Sequence, residues 1–148
     1  MVNNSSGVID NLIWSERMRL GLHVSIQGSI DRVVDRGLER GCNTFQMFSR
    51  NPRGWSSKQL ASVEVESFRR KLGESGIWPV FIHTPYLLNL ASPKDDVYVK
   101  SAALLKDELG RASELGVPYV VTHLGSHLGF GFGGLKFNHK ILDQILIE

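Results

Sequence analysis

The sequence predicts an α/β fold of about four βα units, on three observations. Short apolar runs alternate with helical patterns from Arg19 onward. The runs are continuous rather than alternating, as in strands of a parallel sheet buried on both faces. Helical patterns close at Gly41, Gly76 and Gly116, the residue type that accepts the left-handed turn after a helix.

The first strand is expected over Arg19–Val24. Ser29 is placed to cap a helix that buries Ile30, Val33, Val34 and Leu38. The second strand spans Thr44–Phe48, followed by the polar loop SRNPRGWSSK and a helix with Val65, Phe68 and Leu72 at helical spacing. The third strand, Trp78–His83, begins beside Pro79, tolerated near a strand's start. After the loop TPYLLNLA, Ser92 stands as an N-cap with Pro93 at the first helical position. Asp95 and Asp96 follow in the positive first turn, and Leu105, Leu109 and Ala112 continue the apolar stripe. The fourth strand is Tyr119–His123, and a glycine-rich loop leads to a last helix, LKFNHKILDQILI. Right-handed crossovers place the helices on one side if the sheet curls into a barrel, and on both if it stays open.

Composition sets broad bounds. The chain has 148 residues, 42% of them hydrophobic, enough for one core, and its net charge of +2 neither demands nor excludes nucleic acid. Cys42 is the single cysteine, which excludes an intrachain disulfide and suits a reducing, cytoplasmic compartment. No apolar run approaches the roughly 18 residues of a membrane helix, and residues 1–17 lack a signal peptide's basic and apolar regions. Their Asn/Ser/Gly-rich start reads as a disordered extension to a domain over 18–148, with Met18 an alternative start.

The chemistry concentrates at strand ends. His23, His83 and His123 each close an apolar run, where parallel α/β folds carry their active sites. Adjacent strands lie about 4.8 Å apart, so His83 and His123 can share a metal ion at about 2.0–2.1 Å from each. A lone strand-end histidine is more often a hydrogen-bonded loop residue, and two ligands do not complete a catalytic zinc site. Arg50, Arg53 and Lys58 flank Trp55 in the second loop, a combination that suits phosphate contact but more often describes a solvated loop with one packed Trp. Tyr86, Leu87 and Leu88 can wedge into a base stack or cover a barrel rim. The glycine-rich loop lacks the Gly-Lys-Ser/Thr of a P-loop.

Four segments then carry a resemblance: GLHVSIQGSI (21–30), FSRNPRGW (48–55), HTPYLLNLASP (83–93) and THLGSHLG (122–129). In order and spacing they are similar to GxHVS, F-x-K/R-N-x-R-x-W, H-x-x-Y-L-x-N-L and H-P-G-S-H of the endonuclease IV family. The likeness runs from Arg19 to the end of the chain and matches that family's N-terminal half. It implies a TIM barrel with up to three zinc ions at the strand ends, cutting double-stranded DNA 5′ to abasic sites. It also implies that His83 and His123 are ligands of one zinc. By the same likeness Arg53 enters the DNA, and Tyr86, Leu87 and Asn89 belong to a loop filling the gap left by the missing base. His23 and His127 become supports of the metal ligands or of the packing.

Leu124 departs from the family's proline, which alters loop stiffness and leaves His123 in place. A TIM barrel has eight strands and typically about 250 residues, so this chain reads as truncated, a half-barrel expected to be inactive alone and prone to self-association. A metal-dependent sugar isomerase or epimerase of the same barrel type is the alternative enzyme. A non-catalytic half-barrel is the third reading. The four motifs favour the nuclease.

Overall fold

The computed structural model describes residues 18–130. The extension expected over 1–17 and the helix expected over 135–147 lie outside the described residues.

Four parallel strands, β1 (His23–Val24), β2 (Phe45–Met47), β3 (Val80–His83) and β4 (Tyr119–Val121), pair in sequence order. Helices α1 (Arg32–Glu39), α2 (Ser62–Ser75) and α3 (Asp95–Leu115) connect them. Because each strand lies beside its predecessor, right-handed crossovers bring every helix to one face. That face holds the core. Val24, Phe45, Met47, Val80 and Ile82 pack there against Val33 and Val34 of α1, Val65 and Phe68 of α2, and Ala112 and Leu115 of α3.

The expectation that the strands are buried on both faces is corrected. The opposite face carries the row His23, Gln46, Phe81 and Tyr119, followed by His83 opposite Val121. Among the described residues this face is only partly covered, with Tyr119 and Val121 exposed. Apolar runs had implied two covered faces, whereas the three helices among the described residues stack on one.

The strands are shorter than expected, and β1 most of all. His23 opens that strand rather than closing it. The segment before it still runs along β2, because Asn43 and Leu20 bond reciprocally and Gln46 N–H donates to Leu22 O at 3.0 Å. Gly21 is required there, since a Cβ would stand 1.7 Å from Thr44 O.

Two helix starts also differ. Ser29 does not cap α1, because its hydroxyl donates to the Asp31 carboxylate and the helix begins at Arg32. Leu38 is exposed, and Gly37 takes the buried position instead, letting α1 approach the ring of Phe45. Likewise Ser92 and Pro93 precede α3, whose flanking residue Lys94 is extended at ψ 118°. Ser92 Oγ accepts the Lys94 N–H at 3.2 Å, bending the chain into the helix from outside it. The ends of α2 and α3 are as expected, with Gly76 and Gly116 both at φ 70°. A smaller cluster of Leu88, Leu104 and Leu105 anchors the loop after β3 onto α3.

Candidate metal and nucleic-acid site

The carboxyl ends of β3 and β4 bring two histidines together. His83 is the last residue of β3 and His123 lies two residues past β4. Their ring centroids are 5.1 Å apart. Thr84 N–H donates to Val121 O at 2.9 Å, and the Thr84 and Thr122 hydroxyls meet at 3.1 Å, so the two strand ends are tied beneath the rings. The tautomer of His83 follows from its neighbour. Nδ1 lies 2.6 Å from Thr84 O, an acceptor only, so Nδ1 carries a proton and, in the neutral ring, the lone pair lies on Nε2. That is the arrangement of a metal-binding imidazole, whose far nitrogen is steadied by a backbone carbonyl. Among the described residues, no group of three His, Cys, Asp or Glu side chains could hold an ion. The pair thus suits part of a zinc site and not the whole of one.

His23 sits one row away, with centroids 6.5 Å from His83 and 4.4 Å from Phe48, and its Nδ1 meets Gln46 Oε1 at 3.0 Å. Phe48, His83 and Tyr86 close an aromatic group, with Phe48–Tyr86 at 5.4 Å and His83–Tyr86 at 5.9 Å. Tyr86 is exposed, Leu87 is half-buried and Leu88 is buried in the α3 cluster. Leu88 is therefore removed from the residues that could wedge into a base stack.

Arg53 stands exposed in the loop after β2, and its neighbour Pro52 accepts the Tyr86 N–H at 3.3 Å. Asn89 lies in the next loop and spans to the one beyond. Its Oδ1 accepts the Ser126 N–H at 2.9 Å and its Nδ2 donates to Ser126 O at 3.1 Å. The contact needs Gly125, at φ 96°, where a Cβ would come within 1.9 Å of Asn89 Oδ1. His127 occupies the following exposed turn, where its Nδ1 accepts the Gly129 N–H at 3.2 Å.

Arg50, which the sequence left between phosphate contact and a solvated loop, takes neither role. It is 4% exposed and gives its guanidinium to Glu108 and Asp107 of α3. Ser49 Oγ donates to the other oxygen of Glu108 at 2.8 Å, and Arg111 Nε donates to Ser49 Oγ at 2.9 Å. Burial lowers the pKa of Arg111, as does Arg50 nearby, while Glu108 and Asp107 oppose them. Sequence reading missed this group. Its signal was present, because Glu108 and Arg111 fall at helical spacing between Leu104, Leu105 and Leu115 of the buried stripe.

A singly wound parallel sheet, covered by helices on one face and bearing histidines at its carboxyl ends, defines a segment of an α/β barrel. The chain belongs to the xylose isomerase-like TIM barrel family, whose model matches residues 34–141. It is 53% identical over 116 residues to the probable endonuclease 4 of Nitrosopumilus maritimus, covering 77% of this chain and 42% of that protein. It is 57% identical over 112 residues to the probable endonuclease 4 of Methanoculleus marisnigri, covering 76% of this chain and 40% of that protein. Endonuclease IV from Thermus thermophilus matches in structure with a TM-score of 0.70 at 40% identity, over 74% of this chain and 41% of the other. The chain therefore spans about two fifths of the length of these relatives.

Proposed function

We propose that this chain supplies part of the active site of a zinc-dependent DNA-repair endonuclease that hydrolyses the phosphodiester 5′ to abasic sites. The observation that carries the reading is the pairing of His83 and His123, whose ring centroids lie 5.1 Å apart, with His83 Nδ1 turned to Thr84 O. In this reading the two imidazoles hold one zinc ion, and the remaining ligands come from beyond the described residues. Bound zinc would lower the pKa of a water and stabilise charge on the phosphate.

The chain's own residues do the rest. Thr84 O accepts from His83 Nδ1, which fixes the ring's orientation and leaves Nε2 as the nitrogen of the neutral ring that would bind the ion. Arg53 offers a guanidinium to the sugar–phosphate backbone. Tyr86 and Leu87 present a ring and an aliphatic side chain to the space of the missing base, and Asn89 fixes the loop that carries them. His23 and His127 would support the metal ligands or the packing around them. The relatives named endonuclease support the activity, and the unpaired thiol of Cys42 is compatible with action in the cytoplasm.

The test is a zinc titration followed through the histidine ring nitrogens by NMR. The Nε2 resonances of His83 and His123 should respond together, and either alanine substitution should abolish the response of the other. Independent responses, or none, would refute a shared ion. A duplex carrying one abasic analogue should bind more tightly than its unmodified counterpart.

A further inference from the structure

Helix α3 sends a single guanidinium beneath the loop that follows β2. Arg111, itself 7% exposed, donates from Nη2 to Ser49 O and from Nη1 to Lys58 O at 3.0 Å, with Nε on Ser49 Oγ. Ser49 and Lys58 are the two feet of that loop, and Arg53 and Trp55 stand between them. Among the described residues, the loop's only internal backbone–backbone bond is Gly54 N–H to Asn51 O at 3.3 Å. Its tip has two further ties, Arg53 N–H to Asn51 Oδ1 at 3.1 Å and Tyr86 N–H to Pro52 O at 3.3 Å, and closure of its base rests on what grips its feet. The first foot is gripped twice, because Ser49 and Arg50 both engage Glu108. For the second foot, Arg111 is the link to the same anchor.

We propose that Arg111 is a positioning residue: by bridging Ser49 and Lys58 it closes loop 49–58 and holds Arg53 in place to meet the DNA backbone. The grip on the loop stands on geometry alone, while its use in DNA contact rests on the function proposed above. Arginine suits the task because three nitrogens in one rigid plane reach three acceptors at once, whereas a lysine ammonium is a compact point charge. Glu108 and Asp107 supply the opposite charges that allow two guanidiniums to be buried side by side.

The experiment combines amide hydrogen exchange with DNA binding in a salt series, on the whole chain. The probe is a short duplex carrying one tetrahydrofuran abasic analogue. Arg111→Lys should speed exchange roughly tenfold, as expected for one or two lost charge-assisted bonds, and only within residues 50–58. Ser49→Ala, a milder change, should act in the same direction and serves if Arg111→Lys does not fold. Arg53→Ala should reduce the salt slope by about one. Arg111→Lys should reproduce that loss, and the double variant should lose no more than Arg53→Ala alone.

Unchanged exchange in the loop, or a rise spread evenly along the chain, would overturn the proposal. So would losses that simply add in the double variant, since they would show Arg111 acting apart from Arg53. If the unmodified chain does not bind the duplex, the functional reading fails, and the exchange result alone decides whether Arg111 holds the loop.

Discussion

The two faces of the sheet are built from the same strands and behave as different materials. On one, Phe45, Met47, Val80 and Ile82 vanish beneath three helices. On the other, one residue further along each strand, Gln46, Phe81 and His83 remain partly open. The alternation of a strand sends neighbours to opposite faces, so a shift of one residue separates core from candidate site. The covered face can be apolar throughout because nothing but packing is asked of it. The open face mixes rings, an amide and two paired imidazoles, groups that gain from a polar ligand.

The largest expected effect is on the covered face. Phe68→Ala should cost about 4 kcal/mol of stability in urea unfolding, since the ring is fully buried between α2 and the sheet. A loss near that of an exposed alanine substitution would break the comparison. Next comes Glu108, fully buried at the carboxyl end of the covered layer. Glu108→Ala leaves Arg50 and Arg111 together without their shared carboxylate and should cost about 3 kcal/mol, whereas Glu108→Gln should recover part of it.

A third prediction concerns pH. The Ser29 hydroxyl and Lys71 hold the Asp31 carboxyl at about 2, below its ordinary 3.8. A depressed carboxylate stabilises above its unfolded value, so this contribution is present above pH 3.8 and disappears as pH falls toward about 2. Asp31→Asn should flatten the stability profile in that window, by less than the full shift implies because solvent screens the carboxylate. Lys71, bridging Asp31 at 2.9 Å and Asp35 at 2.6 Å, has its pKa raised, so its share is lost only as pH rises above the ordinary 10.5.

The smallest stability effect should lie on the open face. His83→Ala should change stability by no more than about 1 kcal/mol while removing the zinc response entirely. A large loss of stability there would make His83 a packing residue and weaken the contrast between faces.

The legible part of this molecule was the part governed by repetition. Parallel strands, their order of appearance and the glycine stops after α1, α2 and α3 follow from local pattern, and His83 and His123 were placed at strand ends by that pattern alone. What the sequence hid was direction. Leu38 and Gly37 exchange roles because the closeness of α1 to Phe45 decides which position is buried. Arg50 and Arg53 are three residues apart in one polar loop, yet one is swallowed by Glu108 and the other stands in solvent. Only a carboxylate from a helix more than fifty residues away separates them.

The amide of Asn89, locked to Ser126 across Gly125, has a consequence for anything that binds both histidines. The loops after β3 and β4 are joined into one body, so the gap between the two rings is set when the chain folds rather than when a ligand arrives. Under the proposed zinc binding, the pair would act as a chelate of fixed bite. The ordering entropy would already have been lost in folding, and the second bond to a bridging ion would form as an intramolecular step. Cutting the Asn89 link would leave both nitrogens present and their spacing free.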